Sequence, residues 1–411
     1  MASFTVRPAE GGICAPKGYR ASGVHCGFRK NTTKKDLCVI ASDVMANAAA
    51  VFTRNKVQCA PIAVCRAHLR NGRAQAIIVN SGNANACAPG GEALARDTCA
   101  LVAGELGLSP QDVLVASTGV IGQPIDFALF EKGVPRACRK LAGTAVGSAD
   151  AAKAIMTTDK VRKEQAVTCR IGGKQVTVGG IAKGSGMINP NMATMLCFLT
   201  TDAAISPKLL GKALRLDAEA TFNQLNIDGD TSTNDTVAIL ANGLAGNAEI
   251  TEEGEDFDRF CAALRRVTEP LVRMLAKDGE GATKLLEVTV TGAPTVEVAR
   301  KVSASVVSSD LVKTAVFGED ANWGRVLCAT GYADARFSAA DIAVEIASKA
   351  GKVKVCEGSG AARFSEAKAA KILAEDEIAV RIDLHDGEAQ ATAWGCDLTY
   401  GYVRINGSYR T

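Results

Sequence analysis

A loop rich in glycine, asparagine and proline ends at one hydroxyl residue, and this junction is the part of the chain best suited to chemistry. The segment 183–202 reads KGSGMINPNMATMLCFLTTD, so the small Ala193 precedes Thr194 and an apolar run follows. Such a loop can bend the Ala193–Thr194 peptide until the Thr194 hydroxyl attacks the carbonyl before it. Hydrolysis then leaves Thr194 with a hydroxyl nucleophile and a free α-amine as its base. The alternative is a glycine-rich loop that enters a core strand, with Thr194 merely at its edge.

The apolar run predicts a buried strand that begins with Thr194. Side chains alternate along a strand, so Thr194, Leu196 and Phe198 share one face while Met195 and Cys197 share the other. Cys197 is therefore a poor rival nucleophile. A terminal α-amine has an ordinary pKa of about 7.7–8.0 and is substantially neutral near working pH. Cleavage and activation are then one event, and we expect an uncleaved chain to be inactive.

Nine short motifs are spread along almost the whole chain. They are NSGNANA at 80–86, STGVIG at 117–122, MTTD at 156–159, KGSGM at 183–187, NMATML at 191–196, DGDTSTND at 228–235, DGEGATK at 278–284, NWGR at 322–325 and YVRINGSYRT at 402–411. In these motifs and in their order, the chain resembles the ornithine acetyltransferase (glutamate N-acetyltransferase) family of arginine biosynthesis.

The resemblance implies an oxyanion hole made by Thr118 and Gly119. Attack on an amide carbonyl develops negative charge on oxygen, and such a site needs donors aimed at that oxygen. Thr118 and Gly119 follow a predicted buried strand, where a hydroxyl and a backbone N–H can converge. From the local sequence alone, an ordinary turn at a strand end is the alternative.

The resemblance also implies a set of substrate contacts. Lys183 fits the substrate carboxylate or tunes the nucleophile's amine by its charge; the alternative is a solvated loop lysine. A carboxylate at Glu280 suits a cationic substrate amine, and Thr158 is a near-equal candidate for the role of its neighbour Thr157. The implied substrate-binding residues are Thr157, Lys183, Thr194, Glu280, Asn406 and Thr411.

The activity implied by the family is a ping-pong transfer of acetyl from N-acetylornithine to glutamate, with Thr194 carrying the acetyl group. No metal or organic cofactor is expected, although some family members accept acetyl-CoA as donor. The implied fragments are 1–193, an alpha fragment, and 194–411, a beta fragment, which associate as two of each. One alternative is an aminopeptidase or amidase that uses the same Thr194 chemistry. The other is an uncleaved amino-acid-binding protein.

Composition argues against several other classes of protein. With 47 basic and 44 acidic residues and a formal charge of +3, the chain lacks the basic runs of nucleic-acid-binding proteins. Its first residues lack a secretory pattern, and no apolar run approaches the roughly 20 residues that span a bilayer. We expect a cytoplasmic protein with no membrane contact. The 14 scattered cysteines are expected to be free and mostly buried, and three distant histidines make a metal site improbable.

The pattern along the chain predicts an α/β fold, implied by the family to be a layered sandwich, with a β-rich C-terminal part from about residue 285. Ser109–Pro110 and Ser206–Pro207 predict helix starts, and a helical stripe from Phe257 meets Pro270. Asp386–Gly387 predicts a tight hairpin turn leading into residues 389–396, and residues 402–405 predict a docked terminal strand. The other predicted strands are 76–79, 113–115, 286–291, 342–346 and 378–384.

Overall fold

The computed structural model describes residues 4–189 and 195–408. Predictions made for Ala193, Thr194 and Thr411 therefore lie outside the described residues. The chain divides into two compact units. The first is formed by the described parts of Met1–Gly184, Thr194–Ala218 and Thr231–Leu271, and the second by those of Ser185–Ala193, Glu219–Asp230 and Val272–Thr411. These units are defined by packing. The predicted fragments 1–193 and 194–411 are a statement about cleavage and stay a prediction.

Sixteen strands form two sheets in the described part of the chain. They are β1 Arg7–Pro8, β2 Tyr19–Val24, β3 Leu37–Phe52, β4 Arg73–Asn83, β5 Val113–Val120, β6 Lys163–Ile171, β7 Lys174–Lys183, β8 Leu196–Thr201, β9 Leu225–Asn226, β10 Thr236–Ala241, β11 Leu285–Ala293, β12 Ala343–Ser348, β13 Gly351–Glu357, β14 Gly360–Ala361, β15 Glu377–Asp383 and β16 Ala389–Cys396.

Eleven α-helices accompany the strands over the same described residues. They are α1 Ala60–His68, α2 Gly91–Leu106, α3 Ala128–Arg139, α4 Ala145–Ile155, α5 Pro207–Ala220, α6 Glu255–Lys277, α7 Val296–Ser308, α8 Asp310–Phe317, α9 Trp323–Gly331, α10 Glu366–Leu373 and α11 Tyr400–Asn406. The predicted α/β class is confirmed.

The first unit is built on a nine-stranded sheet. Its order is β1-β6-β7-β8-β10-β3-β4-β5, with β2 paired to β3. β4 and β5 run parallel because α2 crosses between them, as parallel neighbours require. The apolar run Ile77–Val79 is fully buried at the centre of β4. Consequently the polar motifs at the ends of β4 and β5 emerge at the same edge of the sheet, where α/β proteins place their ligands.

The second unit is built on a seven-stranded sheet of order β14-β13-β12-β15-β11-β16-β9. In β11, Leu286, Val288 and Val290 are buried while the residues between them are partly exposed, which is the alternation that the sequence predicted. Strands match the predicted segments 286–291, 342–346 and 378–384 to within a few residues. In the described residues from 285 onward, six strands are accompanied by the five helices α7–α11.

Two local predictions are wrong, and a third is met only by a short 3-10 helix. Asp386–Gly387 does not close a hairpin, because β15 and β16 lie on opposite sides of β11, parallel and antiparallel to it. Ser109–Pro110 opens only the short 3-10 helix Pro110–Asp112, which leads directly into β5. Residues 402–405 belong to helix α11, whose start is capped by the Thr399 hydroxyl accepting from the Gly401 N–H.

The expectations for two helices and for the cysteines are confirmed. Helix α5 begins at Pro207 as predicted, and α6 continues past Pro270 to Lys277. All 14 cysteines are free, and ten of them are buried. Among the helices of the described ranges, none is both long and apolar enough to cross a bilayer.

Candidate active site

The end of β5 carries the two residues predicted to form an oxyanion hole. Thr118 is 5% exposed, and Gly119 follows it with a φ of +137°. A Cβ on Gly119 would overlap the backbone of Gly82, which pairs with Gly119 across β4 and β5. Only glycine fits this close approach of two strands. A side chain at position 119 would therefore force the ends of β4 and β5 apart beside Thr118.

Lys183, the last residue of β7, donates a hydrogen bond from Nζ to Thr118 Oγ1 at 3.1 Å. Lys183 is 3% exposed, so the alternative of a solvated loop lysine is wrong. Burial lowers the pKa of Lys183, and the nearby Asp159 carboxylate opposes that shift. Because the ammonium occupies a lone pair of the Thr118 oxygen, the hydroxyl hydrogen stays available for another acceptor.

A buried ion pair supports Lys183 and was not predicted from the sequence. Lys163 Nζ lies 2.7 Å from Asp159 Oδ1, and both side chains are fully buried. The same carboxylate accepts from the Gly184 N–H at 2.7 Å and from the Thr157 N–H at 2.9 Å. Burial alone would raise the pKa of Asp159, but the charges of Lys163 and Lys183 outweigh it and lower the pKa to about 2. Asp159 thus holds two backbone segments, at Thr157 and at Gly184, beside the buried lysines.

Thr157 lies in the bend that follows α4 and is half-buried. Its backbone N–H is held by Asp159, as described above. Neighbouring Thr158 is also half-buried. The choice between the two threonines as a substrate contact stays a prediction.

The segment just before β10 ties the end of β5 to its neighbours. Asn234 Nδ2 donates to the carbonyl oxygens of Ala84 and Ser117, both at 2.7 Å. The next residue, Asp235, accepts from the Met195 N–H at 3.1 Å through Oδ1. The sequence marked this segment only as part of the DGDTSTND motif. Its side chains hold both the residue before Thr118 and the residue after Thr194.

Cys197 is fully buried in β8. Burial raises the pKa of its thiol well above the ordinary value, and the charge of Asp217 adds to the shift. A buried neutral thiol is a poor nucleophile. This agrees with the expectation that Cys197 is not the reactive group.

In the second unit, Glu280 is held through its backbone and through its carboxylate. Its backbone N–H donates to the Ser185 carbonyl at 2.7 Å, and its Oε2 accepts from Asn406 Nδ2 at 2.8 Å. A Cβ on Gly186 would overlap the Glu280 carboxylate, so a side chain there would displace the carboxylate from this position. Glu280 is 8% exposed. The structure thus brings together two residues, Glu280 and Asn406, that the sequence assigned to substrate binding.

The loop that carries Glu280 is fixed by Asp397 and Thr399. Asp397 Oδ1 accepts from the backbone N–H groups of Thr283 and Lys284, and its other oxygen accepts the Thr283 hydroxyl. Thr399 Oγ1 donates to the Gly281 carbonyl at 2.7 Å. These supporting residues carried no signal in the sequence that would have singled them out.

The chain before the predicted cleavage position is also anchored within the second unit. Asp228 accepts from the Met187 N–H at 2.6 Å and from the Ile188 N–H at 2.8 Å. The Tyr402 hydroxyl donates to the same carboxylate at 3.2 Å. Burial raises the pKa of Asp228, and the two backbone donors oppose the shift.

In the ranges 4–189 and 195–408, no group of three or more acidic, histidine or cysteine side chains has the arrangement of a metal site.

In the first unit, a buried lysine with a lowered pKa is hydrogen-bonded to a threonine hydroxyl at the end of a parallel strand. Such an arrangement is typical of an enzyme active site. The sequence profile of the ArgJ family matches residues 20–411. The chain belongs to the ArgJ family, and the resemblance found in its motifs is confirmed.

Relatives match over nearly the whole chain. The arginine biosynthesis bifunctional protein ArgJ of Caldanaerobacter subterraneus subsp. tengcongensis is 48% identical over 405 residues, which are 98% of this chain and 99% of that protein. The protein of the same name from Bacillus subtilis (strain 168) is 46% identical over 405 residues, covering 98% and 97%. A crystal structure of the argJ protein of Bacillus halodurans is 45% identical and covers 51% of this chain and 97% of its own, with a TM-score of 0.48.

Proposed function

We propose that this ArgJ-family enzyme transfers the acetyl group of N-acetylornithine to glutamate, through an acetyl ester on Thr194, in arginine biosynthesis. The two bacterial relatives named above are called arginine biosynthesis proteins, and each matches 98% of this chain. The observation that carries the proposal is the Lys183–Thr118 hydrogen bond at the end of β5. It leaves a hydroxyl hydrogen free at the residue expected to stabilise an oxyanion.

The enzyme first cuts its own chain between Ala193 and Thr194. The Thr194 hydroxyl attacks the Ala193 carbonyl, the peptide C–N bond breaks, and an ester forms while the nitrogen takes up a proton. Water then hydrolyses the ester, which releases the Ala193 carboxylate and leaves Thr194 with a hydroxyl and an α-amine. The fragments 1–193 and 194–411 remain associated, as two of each.

In the first half of the transfer, the Thr194 hydroxyl attacks the acetyl carbonyl and its proton passes to the Thr194 α-amine. The Thr118 hydroxyl and the Gly119 N–H donate to the developing oxyanion. The amide C–N bond breaks, the ammonium returns its proton to the leaving nitrogen, and ornithine departs. In the second half, the glutamate amine attacks the acetyl ester by the same route, giving N-acetylglutamate and the free Thr194 hydroxyl.

The remaining predicted contacts take the rest of the substrate. Glu280, which the Asn406 amide orients, binds the terminal amine of ornithine. Lys183 supplies positive charge for the substrate carboxylate or for tuning of the nucleophile's amine, and its burial strengthens either effect. Thr157 and Thr411 complete the proposed set. The cycle uses no metal or organic cofactor, and acetyl-CoA is tested below as a second donor.

The proposal is tested by product analysis with N-acetylornithine and glutamate. We expect ornithine and N-acetylglutamate in equal amounts, with the parallel double-reciprocal lines of a ping-pong reaction. Acetate in place of N-acetylglutamate would favour the hydrolase, and amino-acid binding without any product would favour the binding protein. The matched control is Thr194→Ala. A parallel assay with acetyl-CoA and glutamate establishes whether the chain accepts this donor as well.

A further inference from the structure

Asp235 lies beside the start of β8 and is not used in the steps above. It is fully buried, and its Oδ1 accepts from the Met195 N–H at 3.1 Å. Met195 is the residue bonded to Thr194, so Asp235 holds the peptide that begins the predicted 194–411 fragment. A buried carboxyl at this position is placed to act on Thr194, the first residue of that fragment after cleavage.

The second carboxyl oxygen of Asp235, Oδ2, is not used by the contacts described so far. Within the described residues, Asp235 Oδ2 is buried and has no hydrogen-bond partner. Buried polar atoms without a partner are rare in folded proteins and call for an explanation. Burial raises the pKa of Asp235 well above its ordinary value, while the Met195 N–H, the nearby Thr53 hydroxyl and the charge of Lys183 oppose the shift. The hydrogen of the Thr53 hydroxyl is itself donated to the Ser232 carbonyl at 2.8 Å. Asp235 also interacts with the Cys59 thiol, whose own pKa burial raises to about 12.

Covalent geometry brings a new donor to this oxygen after cleavage. Whatever the backbone angles of residue 194, its nitrogen lies within about 3.7 Å of the Met195 nitrogen, because three bonds join the two atoms. Cleavage converts that nitrogen from a peptide N–H into an amine with additional hydrogens. Since Asp235 Oδ1 lies 3.1 Å from the Met195 nitrogen, the new α-amine lies no more than about 7 Å from that oxygen whatever the angles.

We propose that Asp235 is a positioning residue that accepts a hydrogen bond from the Thr194 α-amine through Oδ2 and holds that amine in one orientation toward its own hydroxyl. The inference rests on the proposed function, since an uncut chain has no such amine. An acceptor beside the amine also favours its ammonium form, which arises when the amine takes the hydroxyl proton. Asp235 thus supports the base of the reaction.

The test compares Asp235→Asn with wild type and with Asp202→Asn. Asp202 is a matched control because it is another fully buried carboxyl that accepts backbone N–H groups, from Thr177 at 2.7 Å and Lys17 at 3.2 Å, and it sits beyond the other end of β8. In Asp235→Asn the amide oxygen keeps the Met195 N–H, and the NH2 group faces the amine. This loss of the acceptor lowers the pKa of the amine.

We expect the Asp235→Asn chain to cut itself. In the cut variant, the rising limb of the pH profile of kcat/KM should move to lower pH by about one unit, with kcat reduced and KM little changed. Asp202→Asn should keep the wild-type pH profile. An unchanged limb in Asp235→Asn, or the same shift in Asp202→Asn, overturns the proposal. So does a folded Asp235→Asn chain that stays uncut, because Asp235 would then act in cleavage.

If Asp235→Asn does not fold, a second measurement on the wild-type enzyme tests the same proposal. In wild-type enzyme, NMR signals of the Asp235 carboxyl and the Thr194 α-amine should titrate together, as coupled neighbours do. Independent titration overturns the proposal while leaving acetyl transfer intact. A wild-type chain that never splits overturns both the proposed function and this inference, so the two failures are distinguishable.

Discussion

Lys183 Nζ lies 3.1 Å from Thr118 Oγ1, although four strands separate β7 from β5 in the order of the sheet. Neither residue lies near the other in sequence. The contact brings the charge of a buried lysine to the hydroxyl that we propose as an oxyanion donor. The hydrogen bond thereby joins the end of β7 to the end of β5. The end of β7 also pairs with the start of β8, where Lys183 lies opposite Leu196.

Replacing Thr118 tests its role as a donor. Thr118→Ala removes a hydroxyl aimed at the developing oxyanion, so kcat should fall roughly 100- to 1,000-fold. Thr118→Ser keeps the hydroxyl and should retain most of the activity. Steady-state acetyl transfer to glutamate measures both. Equal losses in the two variants would show that the methyl group, and not the hydroxyl, matters.

Gly119 should not tolerate a side chain. Gly119→Ala combines an unfavourable φ with overlap against the Gly82 backbone, and we expect a loss of roughly 3 kcal/mol in the free energy of unfolding. Gly122 is the matched control, because it also has a positive φ but open space around an added Cβ. Gly122→Ala should cost about 1–2 kcal/mol. Chemical denaturation checks the difference, and similar costs would contradict the packing argument.

The low pKa of Asp159 makes a prediction about acid stability. The carboxyl has a pKa of about 2 in the folded chain against an ordinary 3.8, so the folded state favours its ionised form. Its contribution, roughly 2 kcal/mol, is fully present above pH 3.8 and is lost as the pH falls toward 2.

The measurement compares Thr194→Ala with Thr194→Ala/Asp159→Asn, so that both chains are uncut. The difference in the free energy of unfolding between them should shrink as the pH is lowered from 5 to 2. A difference that stays constant over that interval would mean that Asp159 does not titrate as described.

Glu280 should contribute chiefly to binding of the substrate amine. Glu280→Gln keeps an acceptor for Asn406 but removes the charge, so KM for N-acetylornithine should rise roughly 10- to 100-fold. Glu319→Gln is a control in the same unit, since Glu319 pairs with Lys284 at 3.1 Å and is not assigned to substrate. An unchanged KM in Glu280→Gln would remove Glu280 from the proposed substrate contacts.

The sequence predicted those features that depend on local pattern. Apolar runs located β4 and β5, alternation located β11, β12 and β15, and a serine–proline pair located the start of α5. It failed where partners distant in sequence decide. Residues 402–405 are β-branched or aromatic enough to predict a strand, yet no strand of the described sheets pairs with them and Thr399 caps a helix there.

The same limit applies to the site. Thr118, Lys183, Glu280 and Asn406 could be predicted as site residues because family motifs mark them. Lys163 was missed, because nothing in its neighbourhood distinguishes a lysine that will be fully buried against Asp159 from an exposed one. Asp235 lay inside a recognised motif, but its role depends on Met195, forty residues earlier in the chain.

The most direct test of the central claim is the intact mass of wild-type protein under denaturing conditions, before and after incubation with N-acetylornithine, with N-terminal sequencing. We predict two species, 1–193 and 194–411, the second beginning at Thr194 and gaining the mass of one acetyl group on incubation. A single full-length species, or an acetyl group carried on a peptide that lacks Thr194, would contradict the account.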